Sequence, residues 1–138
     1  MALGVNDTTR GLTLRSWLRL QNQLLDQLHT RFGARMIYVS GLPPMGHFPL
    51  LPHPLRWVLG RQSQRFDLAL QGLLAARPNC RYVTTDLQLD RKLMAQDGFH
   101  PGPEVYSAWA DVLAGMIAED FPTPPPGPAP RDAHAGGD

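Results

Sequence analysis

The chain's fourteen prolines restrict its fold more than any other residue type does. A proline fixes φ and lacks an N–H, so it is excluded from helix interiors and central strands. Pro43, Pro44, Pro49, Pro52 and Pro54 therefore require a loop between the segments on either side. Pro78 ends a second segment. Pro122, Pro124, Pro125, Pro126, Pro128 and Pro130 fall in a last stretch of Pro, Gly and Ala with scattered charges. That stretch, 122–138, has too little apolar side chain to offset its ordering entropy and is expected to be a disordered tail. The body, 1–121, has the length of one domain.

The segments between the prolines alternate in period. Met1 to Val5 is a short apolar stub ending near Gly4, the pattern of the last residues of a buried strand. Leu14, Trp17, Leu18, Leu24, Leu25, Leu28 and Phe32 then recur at helical spacing, with Thr13 placed as N-cap and Gly33 as C-cap. Met36-Ile37-Tyr38-Val39 is a short continuous apolar run, which suits a strand covered on both faces. A second helical pattern, through Phe66, Leu70, Leu73 and Leu74, spans Leu55 to Ala76. Cys80 to Thr85 reads as a strand, and a looser segment with Leu87, Leu89, Leu93 and Met94 follows. Val105, Tyr106, Trp109, Ala110, Leu113 and Ile117 predict a final amphipathic helix with Pro103 in its first turn. Alternating strands and helices with short crossovers predict an α/β fold with a parallel sheet.

Composition excludes several partner classes. The formal net charge is +1, and every basic residue but Lys92 is a scattered Arg. That balance gives no electrostatic case for nucleic acid or an anionic membrane. No apolar run is long enough to span a bilayer, and no leader pattern is visible. The one cysteine, Cys80, rules out an internal disulfide and fits a reducing, cytoplasmic setting. His29, His47, His53, His100 and His134 lack metal-ligand spacing, so no metal or cofactor is expected.

In a parallel α/β sheet, ligands sit beyond the carboxyl ends of the strands. Two polar motifs fall there: Gly4-Val5-Asn6-Asp7 after the stub, and Asp97-Gly98-Phe99-His100-Pro101 before the last helix. Acyl transfer needs a nucleophile, a base, a group that orients the base, and donors for the developing oxyanion. His100 is the only histidine with a carboxylate three residues earlier in a Gly-containing turn. Asp97 would hold one ring nitrogen and leave the other facing the site. Asn6 carries two uncharged amide donors, which suit an oxyanion hole. Both motifs also have structural uses, as a turn or N-cap and as a capped helix start.

Taken jointly, with Gly41-Leu42-Pro43-Pro44 following the intervening strand, the motifs resemble the C-terminal part of the SGNH, or GDSL-like, serine ester hydrolases. The resemblance covers Ala2 to about Ile117 and matches the family's third and fifth conserved blocks. It implies a partial flavodoxin-like three-layer sandwich, with strands three to five of a parallel sheet ordered 2-1-3-4-5 and flanking helices. It implies a small ester substrate, with Asn6 as oxyanion-hole donor, Asp97 as orienting acid and His100 as general base. The family's Gly-Asp-Ser appears nowhere in the chain, and the oxyanion-hole glycine block is also missing. The expectation is thus a fold built for ester hydrolysis, present as a fragment without its serine and inactive alone. The alternative is a non-catalytic remnant acting as an interaction or oligomerisation module. Without strand one, strand three would offer an unpaired apolar edge through which the chain could self-associate.

Other nucleophiles are weaker candidates. Ser40 ends a strand at the correct sheet edge, but no nucleophile elbow surrounds it. Ser16, Ser63 and Ser107 fall on predicted helices, and Cys80 reads as core. The long loop from Leu42 to Pro54 is expected either to line an acyl pocket, through Met45, Phe48, Leu50 and Leu51, or to cover the core edge with the same residues.

Overall fold

A computed structural model of the chain describes residues 1, 4–48, 51–84, 95 and 100–122. These form a mixed α/β arrangement of four helices and a two-stranded parallel sheet. In chain order the elements are α1 (Val5–Thr9), α2 (Leu14–Thr30), β1 (Ile37–Ser40), a 3₁₀ turn (Met45–His47), α3 (Leu55–Ala75), β2 (Cys80–Val83) and α4 (Pro103–Asp120). The residues of the looser segment, 87–94, and of the expected tail beyond Pro122 lie outside the described residues.

The helix α2 starts where the sequence places it. The Thr13 hydroxyl accepts the amide of Ser16 at 3.2 Å, satisfying one orphan donor of the first turn. Trp17, Gln21 and Leu25, one turn apart, are its buried stripe. At the far end Gly33 takes a left-handed φ of 67°, which lets the Ala34 amide reach the Leu28 carbonyl at 3.0 Å. Phe32 lies past the helix end and is exposed, so it does not extend the apolar stripe as its spacing suggested.

The strands β1 and β2 pair in parallel, with Ile37 opposite Cys80, Tyr38 opposite Arg81, Val39 opposite Tyr82 and Ser40 opposite Val83. Along the other edge of β1, the Met1 nitrogen donates to the Tyr38 carbonyl at 2.6 Å and the Ser40 amide donates to the Met1 carbonyl at 2.8 Å. This bracketing of Val39 is the parallel ladder pattern, so the spatial order is Met1, β1, β2. Among the described residues, Met1 alone stands in the place of the expected first strand. Ala2 and Leu3 lie outside the described residues, and Val5 already opens α1.

Side chains alternate across the sheet, and each face has its own partners. Ile37, Val39 and Cys80 face a core built with Trp17 and Leu25 of α2 and Phe66, Leu70 and Leu74 of α3. Trp17 stacks on Phe66 with ring centroids 4.8 Å apart, joining the two helices. Burial of side chains of this size contributes about 1.5–3 kcal/mol each. Tyr38 and Arg81 have the opposite alternation, and both bond Asp120 at the end of α4. Within α4, Val105 is buried and Trp109 and Leu113 are half-buried, while Tyr106, Ala110 and Ile117 of the expected stripe are exposed.

The loop after β1 folds back onto α3 through the 3₁₀ turn. Met45 and Phe48 are buried there with Leu59, and the Thr8 hydroxyl of α1 contacts the Met45 sulfur at 3.3 Å. Gly60, in the second turn of α3, permits this approach. A Cβ at Gly60 would lie 2.6 Å from the Gly46 Cα and 2.8 Å from its nitrogen, whereas one at Gly72 would meet nothing within 4 Å. Gly60→Ala is therefore expected to destabilise the chain by about 1–3 kcal/mol through overpacking. Gly72→Ala, at an open helical position, should stabilise by up to about 1 kcal/mol. Chemical denaturation of the two variants checks the contrast.

Tyr38 supplies a second test. Burial, then the hydrogen bond it donates to Asp120 at 2.7 Å, push its phenol above the ordinary value, with the Arg81 charge opposing. A raised folded-state pKa means that this stabilisation is present below about pH 10, the ordinary phenol value, and is lost as pH rises through the folded value. Asp120→Asn is expected to let one tyrosine ionise earlier in an ultraviolet titration of the folded chain.

Candidate functional site

The Gly4-Val5-Asn6-Asp7 segment folds as the start of α1, and its residues divide the work. Gly4 is buried with φ 126°, a conformation side chains rarely adopt, and a Cβ there would press on Leu42 and Trp17 at 3.2–3.3 Å. Its carbonyl accepts the amides of Asp7 at 3.0 Å and Thr8 at 3.1 Å, which starts the helix. The Asp7 carboxylate accepts the Trp17 indole N–H at 3.1 Å and so pins the segment to α2. Thr8 is buried against Met45. Asn6 is the residue whose side chain is exposed, while its backbone carbonyl is taken up by Thr9 and Arg10.

The second motif is described in part. His100 is exposed, and its carbonyl accepts the Ala95 amide at 2.8 Å. Gly102 is buried and caps α4, with Pro103 in the first turn. Asp97 lies outside the described residues, as does Leu50.

The other sequence candidates are placed as follows. Ser40 is only 4% exposed, so its hydroxyl is not presented to a substrate. Ser63 is buried and donates to the Gly60 carbonyl at 3.0 Å. Ser16 accepts from Thr13, and Ser107 donates to the Pro103 carbonyl, as helix-start serines do. Burial pushes the Cys80 thiol above its ordinary value against the pull of Arg77, which disfavours a thiolate. Met45 and Phe48 point into the core rather than lining a pocket, because the 3₁₀ turn directs them at α3. Leu51 is half-buried, and its carbonyl accepts the Arg56 Nε at 2.8 Å.

The loop does border a cleft of about 790 Å³, but with different residues. One wall is Leu42, Pro43, Pro44, Gly46 and His47. The other is a stripe of α3 comprising Arg56, Gly60, Gln64, Asp67 and Gln71, with Trp57 and Arg61 beside it. Tyr82 and Thr84 close it at the end of β2, and His53 adds to the loop side. Asp67 organises the floor. One of its carboxylate oxygens accepts the Leu42 amide at 2.8 Å, the other accepts Gln71 at 2.8 Å, and the Tyr82 hydroxyl bonds both at 2.9–3.0 Å. Sequence reasoning passed over this cleft. The signal was present as polar residues recurring at Arg56, Gln64, Asp67 and Gln71, with Gly60 in register, a second helical stripe beside the apolar one.

No family model, curated protein or solved structure matches this chain.

Gly41 lies under the Tyr82–Asp67 pair, and a Cβ there would collide with both side chains. Gly41→Ala is expected to disrupt the cleft floor and cost about 1–3 kcal/mol. Tyr82→Phe should cost only about 1 kcal/mol, since Leu42 and Gln71 still satisfy the carboxylate. Thermal denaturation should rank the two variants in that order.

Proposed function

We propose that this chain carries the base and oxyanion side of a serine ester hydrolase resembling the SGNH family. In this reading Met1, β1 and β2 correspond to strands three, four and five of a flavodoxin-like three-layer sandwich. The α2 and α3 helices belong to one outer layer and α4 to the other. The observation that carries the reading is the parallel order Met1, β1, β2, with Gly4-Val5-Asn6-Asp7 turning at the carboxyl edge and Asn6 exposed. That order is the one the resemblance implies.

The chemistry follows from the residue types. A serine hydroxyl attacks the ester carbonyl while His100 takes its proton. Asp97 fixes the imidazole tautomer and stabilises the imidazolium. The carbonyl oxygen becomes an oxyanion, and an Asn6 amide N–H donates to it. Collapse of the tetrahedral species breaks the ester bond, and His100 returns the proton to the departing alcohol. Water then repeats the sequence on the acyl-serine and releases the acid. The 138 residues contain no Gly-Asp-Ser, and Ser40 and Ser63 are buried. The nucleophile in this mechanism is therefore supplied from outside them.

The chain alone is expected neither to turn over p-nitrophenyl esters nor to take up a serine-reactive phosphonate. Fused to a segment carrying a Gly-Asp-Ser strand, it should gain esterase activity. In the fusion, His100→Ala should lose most and Asp97→Asn less. Asn6→Ala should lower kcat by about 100- to 1000-fold with little change in KM. Stoichiometric labelling of the chain alone would contradict the proposal. So would a fusion that survives His100→Ala but fails on His47→Ala or His53→Ala. A folded fusion with no activity would favour the second reading, a non-catalytic interaction module. The exposed Tyr106, Val112 and Ile117 of α4 suit that reading.

A further inference from the structure

We propose that the cleft between the 42–47 loop and α3 is an anion-binding site for a small ligand that joins a carboxylate or phosphate group to an apolar or planar body. Its volume, about 790 Å³, is within the range of small-molecule sites. Its formal charge is net positive through two arginines, with two histidine rings as further nitrogen donors. Arg56, Arg61, His47 and His53 line it, and Asp67 is the only carboxylate among the described lining residues. Asp67 bonds Leu42, Gln71 and Tyr82 and, among the described residues, makes no ion pair with either arginine, so two guanidiniums face one carboxylate across the cleft. The ion pairs among the described residues involve Arg77 and Arg81, neither of which lines the cleft.

The two arginines are held rather than free to sweep. Arg56 is tied through Nε to the Leu51 carbonyl at 2.8 Å, which leaves its terminal NH₂ groups for another acceptor. Arg61 lies 5.0 Å over the ring of Trp57, which is 57% exposed and so presents its indole at the cleft. A fixed guanidinium loses less entropy on binding an oxyanion than a free one. Leu42, Pro43 and Pro44 supply a stiff apolar wall facing these groups. A bare inorganic anion would leave that wall and Trp57 unused, which is why the ligand has a body as well as a charge. Neither Asn6 nor His100 lines the cleft, so the inference is independent of the proposed acyl-transfer chemistry.

The test is a titration of the full chain with phenyl phosphate, phenylacetate, inorganic phosphate and the neutral phenylacetamide at constant ionic strength. Binding is followed by calorimetry and tryptophan fluorescence. Saturable binding of both aromatic anions is expected, with phenylacetamide and inorganic phosphate each about tenfold weaker or more. A tighter phenyl phosphate assigns a phosphate-bearing ligand, and an equal or tighter phenylacetate assigns a carboxylate. Arg56→Gln and Arg61→Gln should each weaken the anions by about tenfold, and Trp57→Phe should abolish the fluorescence change. Arg15→Gln, at an exposed position of α2, should change nothing. Circular dichroism checks that each variant is folded. If Arg56→Gln loses its fold with the Leu51 tie, Arg61→Gln and His47→Gln carry the test. Equal binding of phenylacetamide and phenylacetate would overturn the proposal. So would binding that never saturates, or an Arg15→Gln effect as large as that of Arg61→Gln.

Discussion

The carboxylate of Asp67 receives the Leu42 amide, the Gln71 side chain and the Tyr82 hydroxyl, and so holds α3 to the segments at the carboxyl ends of both strands. A half-buried carboxylate with that many donors has its charge dispersed over hydrogen bonds, which is the condition for leaving water at small cost. Gly41 follows from it, since only a residue without Cβ leaves room for the Tyr82–Asp67 pair above the chain. The course of the loop then follows from Gly41 and Leu42. The chain leaves β1 pinned at Leu42, turns through Pro43 and Pro44, and brings Gly46 against Gly60. Apolar burial of Met45 and Phe48 supplies the energy of that docking, while the Asp67 hydrogen bonds fix its position.

The two faces of the sheet are held by different physics. Toward α2 and α3 the contacts are apolar and continuous, from Trp17 and Phe66 to Leu74 and Cys80. Toward α4, hydrogen bonds and ion pairs from Tyr38 and Arg81 to Asp120 and Glu119 stand beside a smaller apolar contribution, with Val83 of the sheet and Val105 of the helix both buried. Arg81 and Glu119 are both well exposed, so solvent screens that pair and it adds little. The Asp120 side chain is only 9% exposed and accepts from both Tyr38 and Arg81, so it is the contact that secures the helix end. Elsewhere α4 buries Val105 and leaves Tyr106, Val112 and Ile117 exposed, so much of its apolar surface is not used in packing among the described residues.

The elements legible in the sequence were those long enough for a period to repeat. The helix α2 was marked by Thr13, by the stripe through Trp17 and Leu25, and by Gly33, and α3 by Phe66, Leu70 and Leu74. The strands β1 and β2 were marked by short apolar runs between turn residues. The five-residue α1 was not legible, because it is too short to show a period and its start depends on the Gly4 turn packing against Leu42. The inward direction of Met45 and Phe48 was left open for the same kind of reason. In a proline-rich loop, side-chain direction is set by tertiary contact, here Gly46 on Gly60, and no local pattern encodes it. Asp67 in the sequence is indistinguishable from a solvated helix residue. Its role depends on Leu42 and Tyr82, which are distant in the chain.

Leu42 connects the two regions argued to be functional. Its amide is held by Asp67, and it forms part of the cleft wall. Its side chain lies against Gly4, at 3.2 Å from where a Cβ would stand, and Gly4 is the residue that turns the chain so that Asn6 emerges. Leu42, placed two positions beyond the end of β1, thus contributes to both the cleft and the Asn6 turn. Parallel sheets gather their ligand sites at that edge because successive strands end there and deliver their loops to one place. In this chain the delivery is held by contacts on both sides of Leu42: the buried Trp17 behind Gly4, and the half-buried Asp67–Tyr82 pair at the cleft floor. A change that moved Leu42 would shift the exposed amide of Asn6 and the walls of the cleft together. The two proposed sites are separate in their residues and coupled in their position.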